Sequence, residues 1–277
     1  MSQKMLRDFG RAIARPATVI VGNWDLLRSM ALREIQSRYK GTIGGLFWTV
    51  VHPLLMLIIY TFVFSVLFKA RWGQEGGADT EYALILFIGL IVFQVFADCV
   101  SRAPTLVVSN VNFVKKIIFP LEVLPLSVMG AALLQMLVSL SVWLIAYLIF
   151  YGLPPTTALL FPLVLVPLML FTGGVCWVLS ALGVYLRDIS QIVGVLVTVL
   201  FFMSPIFYPV EIVPDQFLIL YQINPITYAV ELSRQVLFWG HFPDVGLFLI
   251  LTAAAWAVAS IGLLVFQKSR KGFADVL

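Results

Sequence analysis

The sequence predicts an all-α integral membrane protein: a single transmembrane domain over residues 1–277, with six transmembrane helices, an N-terminal amphipathic interface helix and two short re-entrant outer helices before the last span. Three observations predict it. Of 277 residues, 61% are hydrophobic and 12% charged, where a soluble domain carries about 25% charged residues. Charge-free runs recur at the length of about 20 helical residues that a hydrocarbon core of about 30 Å requires. Lysine and arginine gather beside those runs in an alternating way that fixes an orientation.

Residues 1–45 form a cytoplasmic N-terminal segment. Lys4, Arg7, Arg11 and Arg15 have no apolar stretch behind them, so no signal peptide is expected and the N-terminus stays in the cytoplasm. Asn23 is an N-cap residue type, and Trp24, Leu27, Ala31, Ile35 and Tyr39 recur at helical spacing until Gly41, which predicts an amphipathic helix over 23–40. Arg33 and Lys40 fall on its polar side. Arg28 and Arg38 fall inside the apolar arc, where they either snorkel to headgroups or face a passage for an anionic group.

Spans follow at about 46–68, 82–100, 123–151, 157–186, 189–208 and 245–267. The long run from Val123 to Leu186 is divided at Tyr151-Gly152-Leu153-Pro154-Pro155. Between the second and third spans, residues 101–122 are mixed in character, which fits a cytoplasmic segment with a short helix offering apolar and basic faces to a soluble partner. Residues 209–242 are too polar to span, with Glu211, Asp215, Glu231 and Arg234, and too apolar for an ordinary loop. Asp215 is read as capping a helix through Tyr221, and Asn224 a second helix with Pro225 at its first position and Gly240 after its end. Two helices dipping partway into the outer leaflet satisfy both facts.

Six spans put fifteen of the eighteen lysines and arginines on one side, against Lys69, Arg71 and Arg234 on the other. An odd number would strand either the basic head or the Lys268-Ser269-Arg270-Lys271 tail outside, so both termini are expected in the cytoplasm. The net charge of +4 thus sits where anionic lipid attracts it, and nucleic acid is not an expected partner. Cys99 and Cys176 lack CxxC spacing and read as small buried hydrophobes.

The chemistry the sequence excludes narrows the function. An ion-coupled carrier keeps ionisable residues within its spans; here the span interiors offer only His52, beside Pro53, and Asp98 sits near the inner end of the second span, where it can reach the interface. The two histidines, His52 and His241, fall on opposite sides, and no HExxH, GxSxG or Cys/His cluster occurs, so neither catalysis nor a metal is expected. No GxxxxGK[ST] occurs, so any ATP is bound by another polypeptide. The spans do hold aromatic residues, Trp48, Tyr60, Phe64, Phe201, Phe202, Phe207 and Tyr208. These read as core and interfacial belt, and also as faces on which sugar rings stack.

Leu32-Arg33-Glu34-Ile35, then Arg38-Tyr39-Lys40-Gly41-Thr42-Ile43-Gly44-Gly45-Leu46-Phe47-Trp48, then His52-Pro53-Leu54-Leu55 resemble the start of the membrane-spanning subunits of ABC exporters for lipid-linked polysaccharides, the O-antigen, teichoic acid and capsule permeases. Phe119-Pro120-Leu121-Glu122, Arg187-Asp188-Ile189, Ser204-Pro205-Ile206 and Asn224-Pro225 follow in that family's order. The resemblance implies a homodimer bound to two copies of an ABC nucleotide-binding subunit, which holds ATP and Mg, in a bacterial inner membrane. It implies a polyprenyl-diphosphate-linked glycan as substrate. By the same resemblance the 23–40 helix is the interface helix, Thr105 to Ile118 contain the coupling helix, the helices within Asp215 to Trp239 are gate helices, and the first and fifth spans line the channel.

Expected roles follow from it. Arg33, Arg38, Tyr39 and Lys40 form a cytoplasmic gate for the substrate diphosphate, which arginine bonds bidentately. Arg28, Asn110, Asn112, Lys115, Lys116, Arg187 and Asp188 contact the ATPase subunit, and the seven aromatic residues above are candidates to line the channel. His52-Pro53 stands where capsule permeases commonly carry an acidic residue, which favours the O-antigen-like branch. The competing readings are a capsule, teichoic acid, lipid or drug permease within the class, and a secondary carrier or membrane transferase outside it.

Overall fold

The computed structural model describes residues 16–39, 44–63, 79–115 and 119–277, and among these the chain is helical with no strand. Four stretches are long and apolar enough to cross a membrane: Thr80–Thr105, Val123–Tyr151, Thr156–Tyr185 and Val245–Val276. Two further apolar helices, Trp48–Val63 and Ile189–Met203, are shorter.

The N-terminal helix α1 spans Trp24–Tyr39 and helix α2 spans Trp48–Tyr60. Asn23 does not start α1, as its residue type suggested, because residues 16–22 are already helical. Its side-chain amide instead donates to the Val19 carbonyl at 2.9 Å, joining the two helical pieces. Within α1, Leu27 and Ala31 are buried as the spacing predicts, whereas Trp24 points away from the chain. Helix α3 spans Asp79–Arg102, α4 spans Val123–Tyr151 and α5 spans Val166–Tyr185. Helix α4 ends at Gly152, whose φ of 82° is a conformation that glycine adopts at little cost.

The expected coupling helix is broken into turns, Ala103–Thr105, Val108–Asn110 and Val111–Val114. Two local causes are visible. Pro104 stands in the first turn, and Asn110 uses its side-chain amide to bond the Leu106 carbonyl at 2.9 Å, competing with continuous helix.

Helix α6 covers Ile189–Met203, five residues shorter than the 189–208 expected. Pro205 disfavours helical backbone at the residue before it, and Ser204 is extended at φ −97°, ψ 146°. Two short helices follow, α7 at Asp215–Ile223 and α8 at Pro225–Arg234. Asp215 is the first helical residue of α7 and not its cap, a position where a carboxylate still favours the helix dipole. Asn224 caps α8 as read, its Oδ1 accepting from Ile226 N at 3.0 Å with Pro225 next, and the chain leaves a following π-turn at Gly240, φ 70°.

The final helix, α9, spans Val245–Ser269 and lies along α5. A Cβ on Gly262 would stand 2.2 Å from the Gly174 carbonyl oxygen, so only glycine permits this approach. Such small-residue contact lets helices associate in lipid, where apolar burial between them gains little. Cys99 and Cys176 are both buried and unpaired with each other.

Candidate functional site

The helices alternate in direction, and the elements read from the sequence as cytoplasmic meet at one end. A buried apolar cluster there unites Leu27 of α1, Val107 of the broken segment, Leu121 and Val123 at the start of α4, Trp177 of α5, and Phe266 and Phe273 at the chain's end. Close approach positions α1: a Cβ on Gly130 of α4 would stand 2.9 Å from Ala31 Cβ. Glu34 of α1 also pairs with Arg102 at the end of α3.

The turn after α3 is seated on α5 in the same way. Ser180 Oγ donates to the Ala103 carbonyl at 2.9 Å, and a Cβ on Gly183 would fall 1.8 Å from the Pro104 oxygen. Glu122 then fastens the chain's tail. Its carboxylate accepts from Arg270 at 3.2 Å, its carbonyl accepts the Trp177 indole N–H at 3.0 Å, and Arg270 also donates to the Phe119 carbonyl at 2.9 Å. The result is a plate held by side-chain bonds and glycine contacts.

Of the residues expected to touch an ATPase subunit, Arg28, Asn112, Lys115, Arg187 and Asp188 are exposed, as is Arg33 of the expected gate. Asn110 is half-buried and turned inward to Leu106. Lys40, Lys116 and Phe64 lie outside the described residues, as do the side chains of Arg38 and Tyr39.

The aromatic residues expected to line the channel divide. Phe201 is packed against Phe93 and Phe207, with ring centroids 5.0 Å apart in each pair, and Tyr60 lies 6.4 Å from Phe207. Tyr60, Phe201 and Phe207 are half-buried within the chain. Trp48 and Phe202 face outward. Tyr208 is half-buried, with its hydroxyl donating to the Phe202 carbonyl at 2.6 Å and lying 2.6 Å from the Tyr221 hydroxyl of α7. His52 is exposed on α2, on a different side from the buried Thr49, Pro53 and Leu57.

The sequence reading missed the roles of Gly130, Ser180 and Gly183 in assembling this end, and of Gln135 in joining α2 to α4. One had a usable signal. Pro53 lacks the N–H that would bond the Thr49 carbonyl, so a donor from elsewhere is required, and Gln135 Nε2 of α4 supplies it at 2.9 Å. The glycine contacts depend on which helices are neighbours, and no local pattern marks them.

Comparison with known proteins gives consistent matches. Residues 25–238 match the family model described as ABC-2 type transporter. The chain is 28% identical over 256 residues to an O-antigen export system permease protein RfbA of Klebsiella pneumoniae, covering 92% of this chain and 95% of the relative. It is also 28% identical over 257 residues to a protein of the same name from Myxococcus xanthus, covering 90% and 94%. It is 23% identical over 223 residues to the polysialic acid transport protein KpsM of Escherichia coli, covering 79% and 83%.

Proposed function

The chain belongs to the ABC-2 type transporter family, and from that premise we propose that it is the membrane-spanning subunit of an ATP-driven exporter moving polyprenyl-diphosphate-linked polysaccharide of the O-antigen type out of the cytoplasm. Two copies form the channel and two separate nucleotide-binding subunits hydrolyse ATP with Mg, so this chain catalyses no reaction itself. It crosses the bacterial inner membrane six times with both termini inside, α2 and α6 acting as the first and fifth spans, and α7 and α8 as re-entrant gate helices. O-antigen is favoured over capsule because the relatives bearing that name are more similar over more of the chain, 28% over 92% against 23% over 79%.

The observation that carries the reading is the plate at one end, where the N-terminal helix, the broken segment and the tail share one apolar cluster. A soluble ATPase needs such a surface to push on. Closure of the two nucleotide-binding subunits drives the plate, the membrane halves separate, and the passage opens as a rigid-body change. Arg33, which is exposed, receives the diphosphate together with Arg38, Tyr39 and Lys40; Arg28, Asn110, Asn112, Lys115, Lys116, Arg187 and Asp188 belong to the ATPase contact. Trp48, Phe202 and Tyr208 offer the neutral glycan stacking faces, with Tyr60, Phe201 and Phe207 half-buried, and Phe64 is the seventh candidate.

The test is ATP hydrolysis by this chain purified in lipid with its nucleotide-binding subunit, with and without lipid-linked polysaccharide. Hydrolysis that responds to the polysaccharide supports the reading, and failure of the two folded proteins to associate refutes it. Arg38→Ala should lower transport by about ten- to hundredfold, as loss of a charge-assisted phosphate contact of about 1.5–3 kcal/mol implies, at unchanged yield of the complex. Unchanged transport removes Arg38 from the gate.

A further inference from the structure

Arg234, the last residue of α8, has a side chain with no exposed surface. A guanidinium is held inside a membrane protein only where its donors are met, since the desolvation cost otherwise exceeds any gain. Here Nε donates to the Ile85 carbonyl of α3 at 3.2 Å, Nη1 to the Pro205 carbonyl at 2.6 Å and to Glu231 Oε1 at 2.9 Å, and Nη2 to the Ile206 carbonyl at 2.9 Å. Pro205 and Ile206 belong to the break after α6, where the chain has left the helix and its carbonyls need new donors. Tyr82 of α3 donates to the next carbonyl, that of Phe207. Gly89 of α3 makes the room, because a Cβ there would stand 3.0 Å from Nη2.

One side chain therefore joins three elements: the gate helix α8, the end of the proposed channel helix α6 and the far end of α3. Packing alone would hold α8 in place as well or better, since apolar replacements of buried ion pairs are commonly neutral or stabilising. What the planar, five-donor fork adds is direction, fixing three carbonyls at once in a way that a lysine cannot. The Pro205 and Ile206 carbonyls lie where the chain departs from α6, just before Tyr208.

We propose that Arg234 is the positioning residue of the outer gate, locking α8, the 204–207 break and the far end of α3 into one body that moves as a unit when the passage opens. The proposal rests on the exporter reading above. It predicts that loosening the lock lets the gate helix shift independently, so that the resting channel leaks and ATP hydrolysis is no longer spent on transport.

The experiment places wild type, Arg234→Lys and Gly89→Ala, each with the nucleotide-binding subunit, in proteoliposomes. Three quantities are read: basal ATP hydrolysis, transport of lipid-linked polysaccharide, and efflux of a trapped small anionic dye without nucleotide. Arg234→Lys should keep basal hydrolysis within about twofold, lose transport by about tenfold and release dye, the size expected of a broken coupling contact. Gly89→Ala leaves every charge in place and should shift the same readouts less. Wild-type transport with no dye release in both variants overturns the proposal. Where Arg234→Lys fails to assemble, Gly89→Ala decides on the same readouts. Dye release needs no polysaccharide, so a wild type that moves no polysaccharide refutes the exporter reading while the lock is still tested.

Discussion

Pro53 removes one donor from the interior of α2, and the consequence falls on the carbonyl of Thr49, one turn earlier. In water that carbonyl would rehydrate; between apolar helices it needs a partner from the protein. Gln135 of α4 meets it at 2.9 Å, which explains a carboxamide within a long apolar helix. Gln135→Leu should therefore lower stability by about 1 kcal/mol, the scale of an interhelical hydrogen bond in membrane proteins. The value alone proves little, so the pairing is tested in a Pro53→Ala background, where the restored N–H bonds Thr49 within α2. There the same change should cost less than half as much, measured by thermal unfolding of the detergent-purified chain. Equal costs in both backgrounds would show that the amide serves another purpose. Pro53 is plain in the sequence, but Gln135 lies 86 positions from the Thr49 carbonyl it meets, and only tertiary neighbours reveal it.

At the scale of elements, what was legible followed from local chemistry. The bounds of α4, the Asn224 cap with Pro225 behind it and the stop at Gly240 are set by residues within a turn of the boundary. What was not legible follows from competition with distant or neighbouring groups. The 189–208 span stops at Met203 because Pro205 overrides an apolar run, and the coupling segment breaks up because Asn110 bonds its own backbone. The seat of α1 is a contact of the same hidden kind, Ala31 against Gly130. Adding a methyl at that contact should tilt or lift α1 without unfolding α4. Gly130→Ala is expected to weaken retention of the nucleotide-binding subunit about fivefold, within the range of a modest coupling energy. Ala31→Gly in the same chain removes the clash and should restore retention. Pull-down of the ATPase subunit by the tagged chain reads both, and failure of the second change to rescue the first would place the ATPase-binding determinant elsewhere than in the seating of α1.

Among the described residues several helix faces stay uncovered, on α4 and α9 as well as on α2 and α6, and α2 and α6 are the expected channel spans. On α2 Ile58 is 55% exposed and on α6 Val195 is 65% exposed, in a chain whose α3 is almost entirely buried. Lipid can cover such faces; so can a second copy, and the distinction matters because one set of helices encloses too little space for a polymer. Both native cysteines are buried, so introduced ones report without interference. In membranes, Ile58→Cys or Val195→Cys should form a disulfide-linked dimer on mild oxidation where these faces meet across the two-fold axis, and polysaccharide transport should stop when the link forms and resume on reduction. A contact of this kind must be close, since a disulfide requires Cβ atoms about 4 Å apart, so neighbouring positions along each face are scanned as well. If every cysteine along both faces reacts with a lipid-soluble maleimide and none crosslinks, the faces look onto lipid. A homodimer would then have to join through another surface, and the aromatic residues on α2 and α6 would lose their claim to the passage.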